Sequence, residues 1–144
     1  TESAVSNDRL LRFGLRTHII ARDTEEEAWE ASKELLSQST DIVKSQRKQS
    51  IDGSPMVGQK APVQVASDHK LSPRLWNGIS EVRVNCGTAI VGSYQQVAEE
   101  ILEFWKLGID EFILSGFPHL EECERVSQKV LPEISRLIDF EREV

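Results

Sequence analysis

The chain has 144 residues, a formal net charge of -7 and a pI near 5.0. That length suits one domain or a piece of a larger one, and the acidic balance argues against non-specific nucleic-acid binding. No apolar run is long enough to span a membrane, and Cys86 and Cys123 do not make a disulfide framework in a chain of this size.

Residues 1–9 are polar and read as a lead-in that starts at Thr1 with no apolar signal segment behind it, so no signal peptide is expected. With two thiols read as reduced, the expected location is cytoplasmic. Residues 10–22 have the pattern of a strand, in which Phe13, Leu15, Ile19 and Ala21 share one parity and Arg16, His18 and Ile20 the other. Asp23-Thr24 ends it. Thr24 followed by Glu27 is a capping box, Glu25 and Glu26 suit the positive end of a helix dipole, and Ala28, Ala31 and Leu35 supply an apolar stripe to about residue 40.

Residues 44–75 are polar and punctuated by Asp52-Gly53-Ser54-Pro55 and Ala61-Pro62. So long a connection reads as an insertion, partly disordered or forming a lid. Residues 87–92 hold a very short strand between Gly87 and Gly92. Ser93 with Gln96 makes a second capping box, Val97, Ile101, Phe104 and Trp105 form an apolar face, and Gly108 closes that helix. Residues 109–115 read as a strand. A last helix starts near Pro118, with Leu120, Cys123, Val126 and Val130 expected inward, and Pro132 kinks or restarts it. Strand and helix alternate, so the expected class is α/β with a parallel sheet.

Arg16 and His18 stand two apart on a strand and so share a face, toward the end where active sites of α/β barrels lie. There an Arg can hold an anion and a His can move a proton near neutral pH. Spacing alone allows equally an exposed edge or a structural ion pair. No C-x-x-C or H-E-x-x-H spacing occurs, so no metal site is expected. Residues 87–93 have P-loop-like glycine spacing without the following Lys, which favours a turn and a helix cap over a phosphate site.

Five stretches then occur in order: Phe13-Gly14-Leu15-Arg16-Thr17-His18; Leu71-Ser72-Pro73-Arg74-Leu75-Trp76-Asn77-Gly78; Gly87-Thr88-Ala89-Ile90-Val91-Gly92; Leu107-Gly108-Ile109-Asp110; and Ser115-Gly116-Phe117-Pro118-His119-Leu120-Glu121-Glu122. The series resembles the C-terminal part of the alkanesulfonate monooxygenases of the bacterial-luciferase-like superfamily, over most of residues 10–135. The resemblance implies that residues 1–144 are the C-terminal portion of a (β/α)8 TIM barrel carrying the 44–75 insertion. It also implies a two-component reaction: a separate flavin reductase supplies reduced FMN, which with O2 converts an alkanesulfonate to aldehyde and sulfite.

Under that resemblance the enzyme is a homo-oligomer with no nucleic-acid or membrane partner. Arg16 matches a strand arginine proposed to hold the sulfonate or peroxide and assist proton transfer, and His18 matches its neighbouring active-site histidine. Arg83 matches an arginine on the insertion loop that helps close the site. Phe117 stands where the family carries Tyr, so this chain lacks a hydroxyl there. The alternatives are another luciferase-like flavin or deazaflavin oxidoreductase, and a non-catalytic truncated polypeptide.

Overall fold

The computed structural model describes residues 11–38, 69–82 and 87–143. Arg83, Cys86 and most of the 44–75 insertion lie outside the described residues. In chain order the elements are β1 (Gly14–Arg22), α1 (Glu25–Ser37), β2 (Leu75–Trp76), α2 (Ile79–Val82), β3 (Ala89–Ser93), α3 (Tyr94–Lys106), β4 (Glu111–Ser115), α4 (His119–Arg125), a π-helical turn (Val126–Val130) and α5 (Leu131–Glu143). The class is α/β. No helix among the described residues is long and apolar enough to cross a membrane.

Both capping boxes form. Thr24 accepts from the Glu27 amide while the Glu27 carboxylate reaches back to the Thr24 amide, and Ser93 and Gln96 do the same for α3. Each pair satisfies two backbone donors that the first helical turn leaves open. At the other end of α3, Gly108 takes φ +96°, a left-handed conformation natural to glycine. Strand β4 follows directly.

The sheet has the order β2-β3-β1-β4, with β1 parallel to both β3 and β4 and the two-residue β2 antiparallel to β3. The chain steps from β1 one place to β3, then two places back over β1 to β4. With right-handed crossovers, opposite steps put the intervening helices on opposite faces. The side chains follow. Ile20 packs with Ala28 and Leu35 of α1 and with Trp76 and Ile79, whereas Ile19 and Ala21 pack with Val97, Ala98 and Ile101 of α3 and with Val130.

A (β/α)8 barrel would place β3 between β1 and β4 and all helices on one face. Here β1 holds the middle position and helices cover both faces, so the described strands form an open sheet. Both parities of β1 carry core residues, because Ile20, on the parity of Arg16 and His18, lies beneath α1.

The C-terminal helix also departs from expectation. Leu120 is 69% exposed and Cys123 is exposed, while Glu122 is 1% exposed; only Val130 is fully inward and Val126 half-buried. The π-helical turn before Leu131 inserts one residue into the helical register. Pro132, which has no N–H for an i−4 bond, then sits in the first turn of α5. The restart expected at Pro132 is thus realised as a widened turn just ahead of it.

Candidate functional site

The carboxyl end of β4 runs through Ser115 and Gly116 into Phe117 and Pro118, and α4 begins at His119. Gly116 has to lack a side chain. A Cβ there would fall 2.2 Å from Glu122 Cβ, so the Glu122 stem rests directly on the turn. The turn is closed by the Glu122 amide donating to Pro118 O at 3.1 Å. His119 Nδ1 lies 2.8 Å from Gly116 O. A carbonyl oxygen only accepts, so Nδ1 carries a proton. The Phe117 ring meets the His119 ring edge-on, at a centroid distance of 5.6 Å and an angle of 84°.

Beside this turn is a cleft of ≈ 470 Å³ lined by Arg16, Leu114, Ser115, Gly116, His119, Glu122, Cys123, Val126, Ser127 and Leu131. Arg16 reaches it because β1 and β4 are in register there, Arg16 opposite Ile113 and His18 opposite Ser115. Arg16 is exposed, so its guanidinium is free to meet a ligand from solvent. A second cavity of ≈ 280 Å³ adjoins the same turn, lined by Ile79, Val82, Phe117 and His119. His119 therefore forms part of both walls.

Behind the turn, Glu122 Oε1 accepts from Arg22 Nη1 at 2.7 Å and from Arg125 Nη1 at 2.6 Å. Arg22 also donates to Ala21 O at 2.7 Å, which fixes its guanidinium at the end of β1. Tyr94 stands close by. Burial, followed by the Asp23 charge, pushes its phenol above the usual range.

A larger cleft of ≈ 640 Å³ runs along α1, lined by acids and cations together, among them Glu25, Glu30, Lys33 and Lys70. The Lys70 ammonium lies 3.9 Å from the Trp29 ring centroid. This cleft gathers none of Arg16, His18 or Phe117.

Of the expected site residues, Arg16 and Phe117 come to the two sides of one turn. His18 does not join them in a cleft. It is 4% exposed, with its amide donating to Thr88 O at 3.1 Å. Arg83 lies outside the described residues; Val82, the residue before it, lines the small cavity with Phe117. Sequence reasoning did not single out His119 and Glu122 as site residues, although both stand in the Ser115-to-Glu122 stretch that carried the resemblance. The signal available was the glycine three residues before His119, which lets the backbone carbonyl approach the ring. Among the described residues there is no group of three His, Cys, Asp or Glu side chains able to hold a metal ion.

The cleft offers one cation, Arg16, and the hydroxyls of Ser115 and Ser127. These suit an anionic head group such as a sulfonate or phosphate. No protein-family model matches the chain.

Proposed function

We propose that this chain is the C-terminal portion of a two-component, reduced-FMN-dependent monooxygenase of the luciferase-like superfamily that desulfonates alkanesulfonates. The observation that carries the reading is the meeting of Arg16 with the turn at residues 115–119. These are two of the five resembling stretches, they are far apart in sequence, and they share one cleft.

In this reading reduced FMN, delivered by a separate flavin reductase, supplies the oxygen chemistry. An alkanesulfonate, O2 and reduced FMN give an aldehyde, sulfite, water and oxidised FMN. Arg16 holds the sulfonate. His119 stands beside it, its ring fixed by the Nδ1–H bond to Gly116 O. The reading rests on Arg16 more than on His18, which is buried. It assigns the complete protein to the cytoplasm as a homo-oligomer, and Arg83 to closure of the site. A complete barrel requires β4 to border β3 in place of β1, a rearrangement that cross-linking can read.

Phe117 favours a second reading. Without the family's hydroxyl at that position, the same architecture suits another luciferase-like flavin or deazaflavin oxidoreductase with a less polar substrate.

The test is sulfite release by the complete protein, with a flavin reductase and a series of alkanesulfonates of increasing length. Activity is expected, and Arg16→Ala should raise the sulfonate KM about 10- to 100-fold, each factor of ten being about 1.4 kcal/mol of lost binding. Reduced-flavin turnover without sulfite would move the assignment to the second reading. No flavin-dependent turnover of any kind would remove both.

A further inference from the structure

We infer that the π-helical turn at residues 126–130 is a specificity device. It sets Leu131 beside Val126 and Leu114 as an apolar wall of the Arg16 cleft, and that wall takes the alkyl chain of an anionic substrate. That the anionic head is a sulfonate rests on the proposed function; the wall adds which sulfonates bind best.

The cleft of ≈ 470 Å³ has two kinds of lining. Arg16, Ser115 and Ser127 are polar, whereas Leu114, Val126 and Leu131 are apolar. Leu114 and Val126 are half-buried and pack against the core cluster that holds Val97 and Ile101 of α3. Leu131 is 45% exposed. A single exposed leucine is ordinary. Leu120 and Phe140 are more exposed still, but neither lines any of the three described cavities. Leu131 differs because two apolar neighbours and a cation share its cleft.

The helical register explains how it comes to be there. Val126, Val130, Ile134 and Leu137 form the core stripe, at spacings of four and three. In an uninterrupted α-helix Leu131 would stand about 140° round from Val126, on nearly the opposite side. Instead the Leu131 amide donates to Val126 O, five residues back. A bond of that span stacks residue i+5 over residue i, as an α-helical bond stacks i+4 over i. Pro132 has no N–H and makes none of the α-helical bond to Gln128 O that would favour the narrower turn. Leu131 is thus carried round to the Val126 side, into the cleft and not into the core.

A ligand that suits this lining has a charged head for Arg16 and a chain to lay on the wall, where contact removes apolar surface from water. A very short sulfonate has too little chain to reach Leu131, and a very long one outruns it. The test is calorimetric titration of the complete protein, with FMN present, by alkanesulfonates from ethane- to decanesulfonate. Kd should fall about 2- to 4-fold for each added methylene, the upper figure being that of a fully buried one, and then level off. Leu131→Ser should weaken the longer members about 10-fold and flatten the series, while Leu131→Met retains the slope. Phe140→Ser, on an exposed residue away from the cleft lining, should leave the series as it is, and Arg16→Ala should raise Kd at every length alike.

A flat series in wild type would overturn the inference, as would a folded Leu131→Ser protein that keeps the wild-type slope. Sulfite release together with a flat series would leave the proposed function standing without the chain subsite. A slope that Leu131→Ser abolishes, with no flavin-dependent turnover, would remove the proposed function and leave the cleft as a site for anionic amphiphiles.

Discussion

Gln96 Nε2 donates to Glu25 Oε2 at 2.7 Å, joining the first turn of α3 to the first turn of α1 around the carboxyl edge of the sheet. The two helices lie on opposite faces, so this is a polar connection between layers that otherwise touch through the strands. The Gln96 hydrogen bond, then that of Trp29, holds the Glu25 carboxyl below its usual range. A lowered folded pKa means stability that is fully present above 4.5 and is lost as pH falls through the lower folded value. Thermal melts from neutral to acid pH should show that loss, and it should be smaller in Glu25→Gln. Gln96→Ala removes both the cap and the link and should cost about 1–2 kcal/mol at pH 7. An equal acid slope in wild type and Glu25→Gln would show that Glu25 does not carry the effect.

Gly78 is a second sensitive position. A Cβ there would fall 2.1 Å from Trp76 Cζ2, and Trp76 is 2% exposed in the core beneath α1. Gly78→Ala should cost about 1–3 kcal/mol by over-packing. Gly87→Ala, where a Cβ would meet nothing within 4 Å among the described residues, serves as its control and should change stability by less than about 0.5 kcal/mol. Denaturant midpoints of the two variants decide the matter.

The order of strands is open to a direct chemical check. Leu15 and Phe112 are register partners on the adjacent strands β1 and β4. Neighbouring strands lie about 4.8 Å apart, within reach of a disulfide. Leu15→Cys with Phe112→Cys should form an intramolecular cross-link on mild oxidation, detected by mass spectrometry of the digested protein. A link that forms between β3 and β4 cysteines instead, and not between β1 and β4, would mark the barrel order.

Phe117→Tyr tests what the missing hydroxyl does. Phe117 is 40% exposed at the wall of the smaller cavity, so a para-hydroxyl has room. The melting midpoint should move by no more than about 0.5 kcal/mol in free-energy terms. Under the proposed function, KM for alkanesulfonates should fall. A KM that rises would argue that the phenyl ring itself contacts the substrate.

Local chemistry was legible in this sequence where it was self-contained. Thr24 with Glu27 and Ser93 with Gln96 form the capping boxes their spacing predicts, and Gly108 takes the positive φ expected of a helix stop. What depends on distant partners was not. Leu120 and Cys123 satisfy an apolar stripe, yet Glu122 is the buried residue, because its partner Arg22 lies one hundred residues away and the π-helical turn shifts the register beyond it. The strand β2 has two residues and exists through its pairing with β3, which no local pattern announces. At the site, Arg16 could be nominated from its strand position. His119 could not, since its role follows from the shape of the turn that Gly116 and Glu122 impose.

The stagger of β1 bears on how the chain is made. Its first half pairs with β4 and its second half with β3, the two ladders meeting at His18. Every strand partner of β1 is thus encoded at least seventy residues downstream. As the polypeptide emerges from the ribosome, α1 can wind at once on its own capping box, while the strand beside it waits with both edges bare until β3 and then β4 appear. Such non-local pairing is slow to close. A chaperone that shields residues 14–22 during that interval should raise the yield of folded protein, whereas stabilising α1 alone should not.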